Sequence, residues 1–178
     1  MNLADKYRPT NWGDVVGQDK VVARLRTLAA RGGLAGRAFW ISGQSGTGKT
    51  TIARLVAREV ADPFLVCELD AAALTVAELQ SLEAQMQVCG WGEKTGRAYL
   101  VNEAHALRKP VIRQLLVLLE RIPRHVVIVF TTTCEVQPQA AGQERAGVVV
   151  VLEQRLLPLA RGREDDDDVA GDALQQHE

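Results

Sequence analysis

Eight consecutive residues, Gly43-Gln44-Ser45-Gly46-Thr47-Gly48-Lys49-Thr50, carry the strongest chemical signal in this 178-residue chain. The pattern G-x-x-x-x-G-K-T gathers glycines, one lysine and a hydroxyl where an anion would have to be held. Gly46 and Gly48 let the backbone curl until successive N–H groups face inward, and such a nest attracts phosphate oxygens. The positive end of a following helix adds to that field. Lys49 has the reach to meet β- and γ-phosphates as a point charge, and the Thr50 hydroxyl can ligate Mg²⁺. Thr51 completes the candidate binding set, Gly43 to Thr51. The chemistry implied is retention of a nucleoside triphosphate. A glycine turn with a solvated lysine is the alternative, and the flanks argue against it. Ala38-Phe39-Trp40-Ile41 ahead of the loop is strand-like, and Ile52 to Arg58 behind it has helical periodicity.

A second candidate group, Leu100-Val101-Asn102-Glu103, lies about 50 residues after Lys49. P-loop ATPases carry four apolar residues and then Asp-Glu at such a place. The aspartate holds the hydration shell of Mg²⁺ and the glutamate polarises the attacking water. Glu103 fits the second role, as a catalytic base. Asn102 makes a metal-site residue without a charge: its amide can accept a hydrogen bond from a metal-bound water but adds no negative potential. Mg²⁺ is then held mainly by Thr50 and the phosphates, and hydrolysis is slower than an Asp-Glu pair would give.

These residues need a scaffold that brings them to one rim. Pro9, Gly13 and Gly17 mark an extended lead-in with turns. Asp19 is placed to cap a helix with apolar positions Val21, Val22, Leu25, Leu28 and Ala29, stopped by Gly32-Gly33. The helix after the loop runs to about Val60, with Pro63 just beyond. Phe64 to Leu69 is expected as a second buried strand ending at Asp70. Thr75-Val76-Ala77-Glu78 is a capping box opening a helix through about Val88. A loop containing Gly90, Gly92 and Gly96 leads to a third strand, Arg97 to Asn102. Pro110 suits the first turn of a helix whose apolar face is Val111, Leu115, Leu118, Leu119 and Ile122, ended by Pro123. Val126 to Phe130 is a fourth strand, closing on Thr131-Thr132-Thr133. Gln137 to Gly147 is polar and irregular, Val148 to Leu152 is a candidate fifth strand, and Leu156 to Leu159 a sixth or its continuation.

Apolar strands separated by helices predict an α/β fold, a parallel sheet with helices on both faces. Ligands of such sheets sit beyond the carboxyl ends of the strands. The glycine loop, Asp70, Asn102-Glu103 and Thr133 each follow a strand directly, so their polar groups should meet along one edge. The expected organisation is a core domain over residues 1–160 and an acidic, disordered tail over residues 161–178.

Bulk properties bound the rest. A content of 47% hydrophobic and 24% charged residues is that of a globular protein, long enough for one well-buried domain. The first residues contain no signal-peptide core and no run approaches a membrane span, so the expected location is cytoplasmic, with no membrane partner. Cys67, Cys89 and Cys134 stand apart without C-x-x-C spacing, as buried or free thiols of a reducing compartment. Net charge is −1, yet seven of the 22 acids and none of the 21 bases lie in residues 164–178. The body carries an excess of about six positive charges. That balance is compatible with nucleic acid and equally ordinary for a soluble domain.

Lys6-Tyr7-Arg8-Pro9, Asp14-Val15-Val16-Gly17-Gln18, the phosphate loop and Asn102-Glu103-Ala104-His105-Ala106-Leu107 together resemble the AAA+ ATPases of the clamp-loader clade. Replication factor C small subunits and the bacterial polymerase III gamma/tau subunit belong to that clade. Gln114 to Pro123, running into Val126 to Thr133, extends the resemblance, which covers residues 4 to about 135. The K-Y-R-P lead-in is its specific part. It implies a RecA-like P-loop NTPase core, ATP and Mg²⁺ as cofactors, other AAA+ or clamp-loader-like subunits as partners, and DNA as a further partner.

Roles follow residue by residue from the resemblance. Tyr7, Arg8, Pro9, Val15 and Val16 match the segment that packs around adenine and ribose. Thr133 matches the sensor-1 residue that contacts the γ-phosphate or the lytic water, with Thr132 as runner-up; it joins Glu103 and Lys49 as a catalytic candidate. Asp70 matches the strand-2 residue that holds the catalytic glutamate out of line until a partner binds. His105 replaces an acid found there in many P-loop ATPases and is expected as a helix-start residue rather than a catalyst.

Departures from the clade matter as much. Clamp loaders usually carry Ser-Arg-Cys after sensor 1, whose arginine reaches the neighbouring subunit's ATP site; no such triplet is written here. Arg155 is either a substitute for it or a surface arginine. The helical lid with sensor 2 and the oligomerising collar have no residues to form from. The sequence is therefore expected as a minimal core, or as a chain truncated or out of frame after about Cys134. Two functions follow: a core that couples ATP binding and hydrolysis to protein assembly on DNA in replication or repair, or an ATP-binding interaction module with little or no hydrolysis. A small-molecule P-loop kinase is a third class, but the acceptor pocket and arginine-rich lid it needs are not offered.

Overall fold

The computed structural model describes residues 7–133 and 149–152. Within them, helices α1 (Asp19–Gly32), α2 (Lys49–Val60), α3 (Val76–Met86) and α4 (Lys109–Leu119) alternate with strands β1 (Arg37–Ser42), β2 (Val66–Asp70), β3 (Arg97–Asn102) and β4 (Val126–Thr132). A fifth strand, β5 (Val149–Leu152), follows. The strands lie side by side in the order β2-β3-β4-β1-β5. The first four are parallel, as expected.

β4 shows how the sequence produces layers. Val127 and Val129 pack with Phe39, Ile41, Ile52, Val56 and Leu100 on the face covered by α1 and α2. Ile128 and Phe130, one residue out of step, pack with Tyr99, Val101, Leu115 and Leu118 on the face covered by α3 and α4. Successive side chains of a strand alternate between faces, so a strand is apolar throughout only when both faces are covered. All seven residues of β4 are buried.

The structure corrects four local expectations. β5 runs antiparallel to β1, with Ser42 opposite Val149 and Phe39 opposite Leu152; apolar content places a strand but says nothing of its direction. Pro63–Leu65 is a 3₁₀ turn, so β2 begins only at Val66, and Phe64 stands exposed. β2 is also not a buried strand: it is the edge of the sheet, with Val66, Cys67 and Leu69 half-buried and Glu68 and Asp70 exposed. Asp19 lies inside the first turn of α1, with Gln18 at the cap position and no side-chain cap bond. The capping box of Thr75 and Glu78 forms as read, with both reciprocal hydrogen bonds present.

Among the described residues, no helix is long and apolar enough to cross a membrane. Cys134, Arg155, the candidate sixth strand and the acidic tail lie outside the described residues.

Candidate functional site

The loop between β1 and α2 closes around its own lysine. Lys49 is 7% exposed, and its Nζ donates to the Gly43 carbonyl at 3.0 Å and to the Gln44 carbonyl at 2.8 Å. Gly46 and Gly48 adopt φ of 80° and 90°, conformations that a side chain would strain. Gly48 caps α2 in that left-handed shape, with no side-chain cap bond. The first N–H groups of a helix have no acceptor within it, and the helix dipole adds positive potential around them. The Thr47 hydroxyl donates to the Gln44 carbonyl at 2.8 Å, which braces the turn from inside.

A cradle of unshared donors with an ammonium group folded into it fits a triphosphate. Lys49 can exchange two carbonyl acceptors for phosphate oxygens without crossing open solvent. Thr50, half-buried at the start of α2, has a hydroxyl for Mg²⁺, an ion that takes few protein ligands and completes its shell from phosphates and water. Thr51 is half-buried behind it, while Gln44 and Ser45 are exposed.

The lead-in is fastened to α2 at two levels. Gln18 Nε2 donates to the Thr47 carbonyl at 3.2 Å, just ahead of the helix. Trp12 Nε1 donates to Glu59 Oε1 at 2.6 Å, near its far end. Between them Arg8, Pro9 and Thr10 face Arg54, Leu55 and Arg58 across a cleft of about 290 Å³. Leu55 is roughly 9 Å along the helix axis from Lys49, at 1.5 Å per residue. Val15 is half-buried on the α1/α2 core, whereas Tyr7 and Val16 are 73% and 93% exposed. The five residues matched to an adenine-binding segment thus divide between a cleft, a core and open surface.

Strand register assembles the rest. Ser42 is level with Thr132, Val101 with Phe130, and Asp70 with Asn102. Glu103 leaves β3 with φ 53° and ψ 47°, the one positive φ at a non-glycine residue among those described. Its Oε2 accepts from the Thr133 hydroxyl at 3.2 Å and lies 3.3 Å from His105 Nδ1. The same Nδ1 is 3.2 Å from Thr132 Oγ1, on a residue with no solvent exposure. Asn102 Oδ1 accepts from the Thr131 hydroxyl at 3.0 Å. Asp70 is engaged in its own turn, where Oδ1 accepts the Ala72 N–H at 3.0 Å. Thr133 and His105, not Asp70, are the partners of Glu103 among the described residues.

The sequence profile of the ATPase family associated with various cellular activities (AAA) matches residues 39–153, a span that holds the loop, Asn102-Glu103 and Thr133. The chain belongs to the AAA family. Among its AAA relatives, the DNA polymerase III subunit tau of Escherichia coli is 35% identical over 156 residues, covering 74% of this chain and 24% of that protein. The gamma/tau subunit of Mycobacterium tuberculosis is 30% identical over 157 residues, covering 75% of this chain and 27% of its own length. The chain thus spans about a quarter of the length of these relatives. In three dimensions it is similar to a Thermotoga maritima RuvB variant, with a TM-score of 0.57 and 20% identity over 71% of this chain and 42% of that one. A Thermotoga maritima DNA polymerase III gamma subunit-related protein gives 0.50 and 16% over 61% and 39%. At such identities the solved structures speak for the fold alone.

The AAA core therefore brings the loop residues, Glu103 and Thr133 to one rim, as the sequence suggested. Three participants were not foreseen there: Gln18 as a tie to the loop, Thr131 as the partner of Asn102, and His105 as a partner of Glu103. Each contact joins residues 27 to 29 apart or turns on backbone geometry at Glu103, so no local pattern signals it.

Proposed function

We propose that this AAA core binds ATP with Mg²⁺ and hydrolyses it slowly, acting with other AAA+ or clamp-loader-like subunits to couple turnover to protein assembly on DNA. One observation carries the hydrolytic reading. Glu103 is held through Oε2, while its Oε1 has no partner among the described residues. A half-exposed carboxylate on the rim beside the phosphate loop is suited to take the proton of a water attacking the γ-phosphate. Lys49 and the α2 N–H groups hold the phosphate charge, and the Thr133 hydroxyl keeps the carboxylate in place. Mg²⁺, when bound, neutralises charge on the phosphates that Thr50 helps to orient. The products are ADP and inorganic phosphate.

Support for the DNA partner is electrostatic and by relationship. Arg108, Lys109, Arg113, Arg121 and Arg124 are all exposed on and around α4, with Glu120 the one acid between Ala104 and His125. A stripe of that sign attracts a polyanion in a salt-dependent way. The curated relatives named above are subunits of DNA polymerase III. A second reading, an ATP-binding interaction module, is favoured by Asn102, whose neutral amide is already engaged by Thr131.

Single-turnover hydrolysis, with and without primed DNA, separates the two. Hydrolysis above background is expected in the wild type, and Glu103→Gln should lower it on the order of 100-fold or more while ATP binding persists. Binding without any wild-type turnover would move the conclusion to the interaction module.

A further inference from the structure

His105 is where the rim has a contact that the roles above leave without an explanation. The left-handed turn at Glu103 leads into a 3₁₀ turn, Ala104–Ala106, which returns His105 to the carboxylate two residues behind it. Nδ1 then faces two oxygens, Glu103 Oε2 at 3.3 Å and Thr132 Oγ1 at 3.2 Å. A carboxylate can only accept, so this close approach is attractive when a proton on Nδ1 is shared between the two oxygens. With the proton on Nε2 instead, a nitrogen lone pair would face a negative oxygen. The side chains of His105 and Glu103 are 34% and 49% exposed, so a carboxylate released from this hold would lose its orientation to solvent-driven rotation.

We propose that His105 is a positioning residue for hydrolysis: its Nδ1–H holds Oε2 of Glu103 and leaves Oε1 to accept the proton of the attacking water. This role rests on the hydrolytic reading above. Thr132 Oγ1, buried on β4, shares that same Nδ1–H and anchors the imidazole to the strand, and Thr133 supplies a hydroxyl bond to the same carboxylate oxygen.

Three substitutions separate position from bulk. In His105→Asn the side-chain amide nitrogen falls near the place of Nδ1; in His105→Gln it falls near that of Nε2; His105→Ala removes both. Steady-state ATP hydrolysis by His105→Asn should keep kcat within about threefold of wild type. His105→Gln and His105→Ala should lose roughly 10- to 100-fold in kcat, the range of a hydrogen bond to a charged group. KM for ATP should stay unchanged in all three, since no phosphate-binding group is altered. Equal kcat in the three variants, whether high or low, would overturn the proposal. Side-chain ¹⁵N shifts give a readout independent of turnover: Nδ1–H is expected in the wild type and should be lost in Glu103→Ala. An Nε2–H tautomer in a wild type that turns over ATP would overturn this role and leave the hydrolytic reading intact. Absence of wild-type turnover with Nδ1–H present would sink the hydrolytic reading, and this role with it.

Discussion

On the hydrolytic reading proposed above, Asn102 stands where a carboxylate would face the metal's water shell; its Oδ1 already accepts the Thr131 hydroxyl at 3.0 Å. An aspartate could take that hydroxyl with one oxygen and present the other, charged, to a metal-bound water. Asn102→Asp is expected to raise single-turnover ATP hydrolysis by about tenfold at saturating Mg²⁺, the gain of one charge-assisted hydrogen bond over a neutral one. Equal rates for the two chains would show that the amide is no handicap. At this scale the sequence was most informative on placement, where a candidate residue directly follows its strand, as Gly43, Glu103 and Thr133 do. It read His105 as a helix start and Gln18 as part of the lead-in motif but gave no partner for either, since Thr132 and Thr47 are distant along the chain. Side-chain identity announces what a residue can do, but only the register of β3 beside β4 decides which hydroxyl it meets.

Elements were legible to the extent that their signals are local. α3 announced itself through its capping box, and β4 through an unbroken apolar run that only a covered central strand can carry. β2 was placed two residues early because Phe64 and Leu65 have strand-like character, while Pro63 in fact sets a 3₁₀ turn. Its edge position and the reversed direction of β5 depend on neighbours, which no window of sequence contains. Gly96 shows a constraint of the same long-range kind. Placed just before β3, it is buried, and a Cβ there would overlap the Val60 carbonyl oxygen at the end of α2 and come within 2.9 Å of the His125 carbonyl oxygen. Backbone cannot give way as a flexible side chain does. Gly96→Ala should therefore destabilise the fold by about 3 kcal/mol, the upper part of the range for overpacking a filled site. Chemical denaturation of the two chains would measure it, and an unchanged midpoint would mean that the α2 terminus moves freely.

For the whole molecule, nucleotide affinity and stability should be one quantity seen twice. A ligand at 100 times its Kd that binds only the folded chain stabilises it by about 2.7 kcal/mol. For a chain of this size that corresponds to a rise in Tm of roughly 5–10 °C. Thermal unfolding with and without Mg²⁺ and ATP should show that rise in the wild type and lose most of it in Lys49→Ala; an unmoved wild-type Tm would count against nucleotide binding. The same ledger includes Glu103. Its left-handed backbone costs about 1–2 kcal/mol, against a typical net stability of only 5–15 kcal/mol for a folded domain. Glycine or asparagine would hold that turn more comfortably. On the hydrolytic reading, the fold bears that cost to set a carboxylate on the rim, so Glu103→Gly should stabilise the chain while removing the proton acceptor.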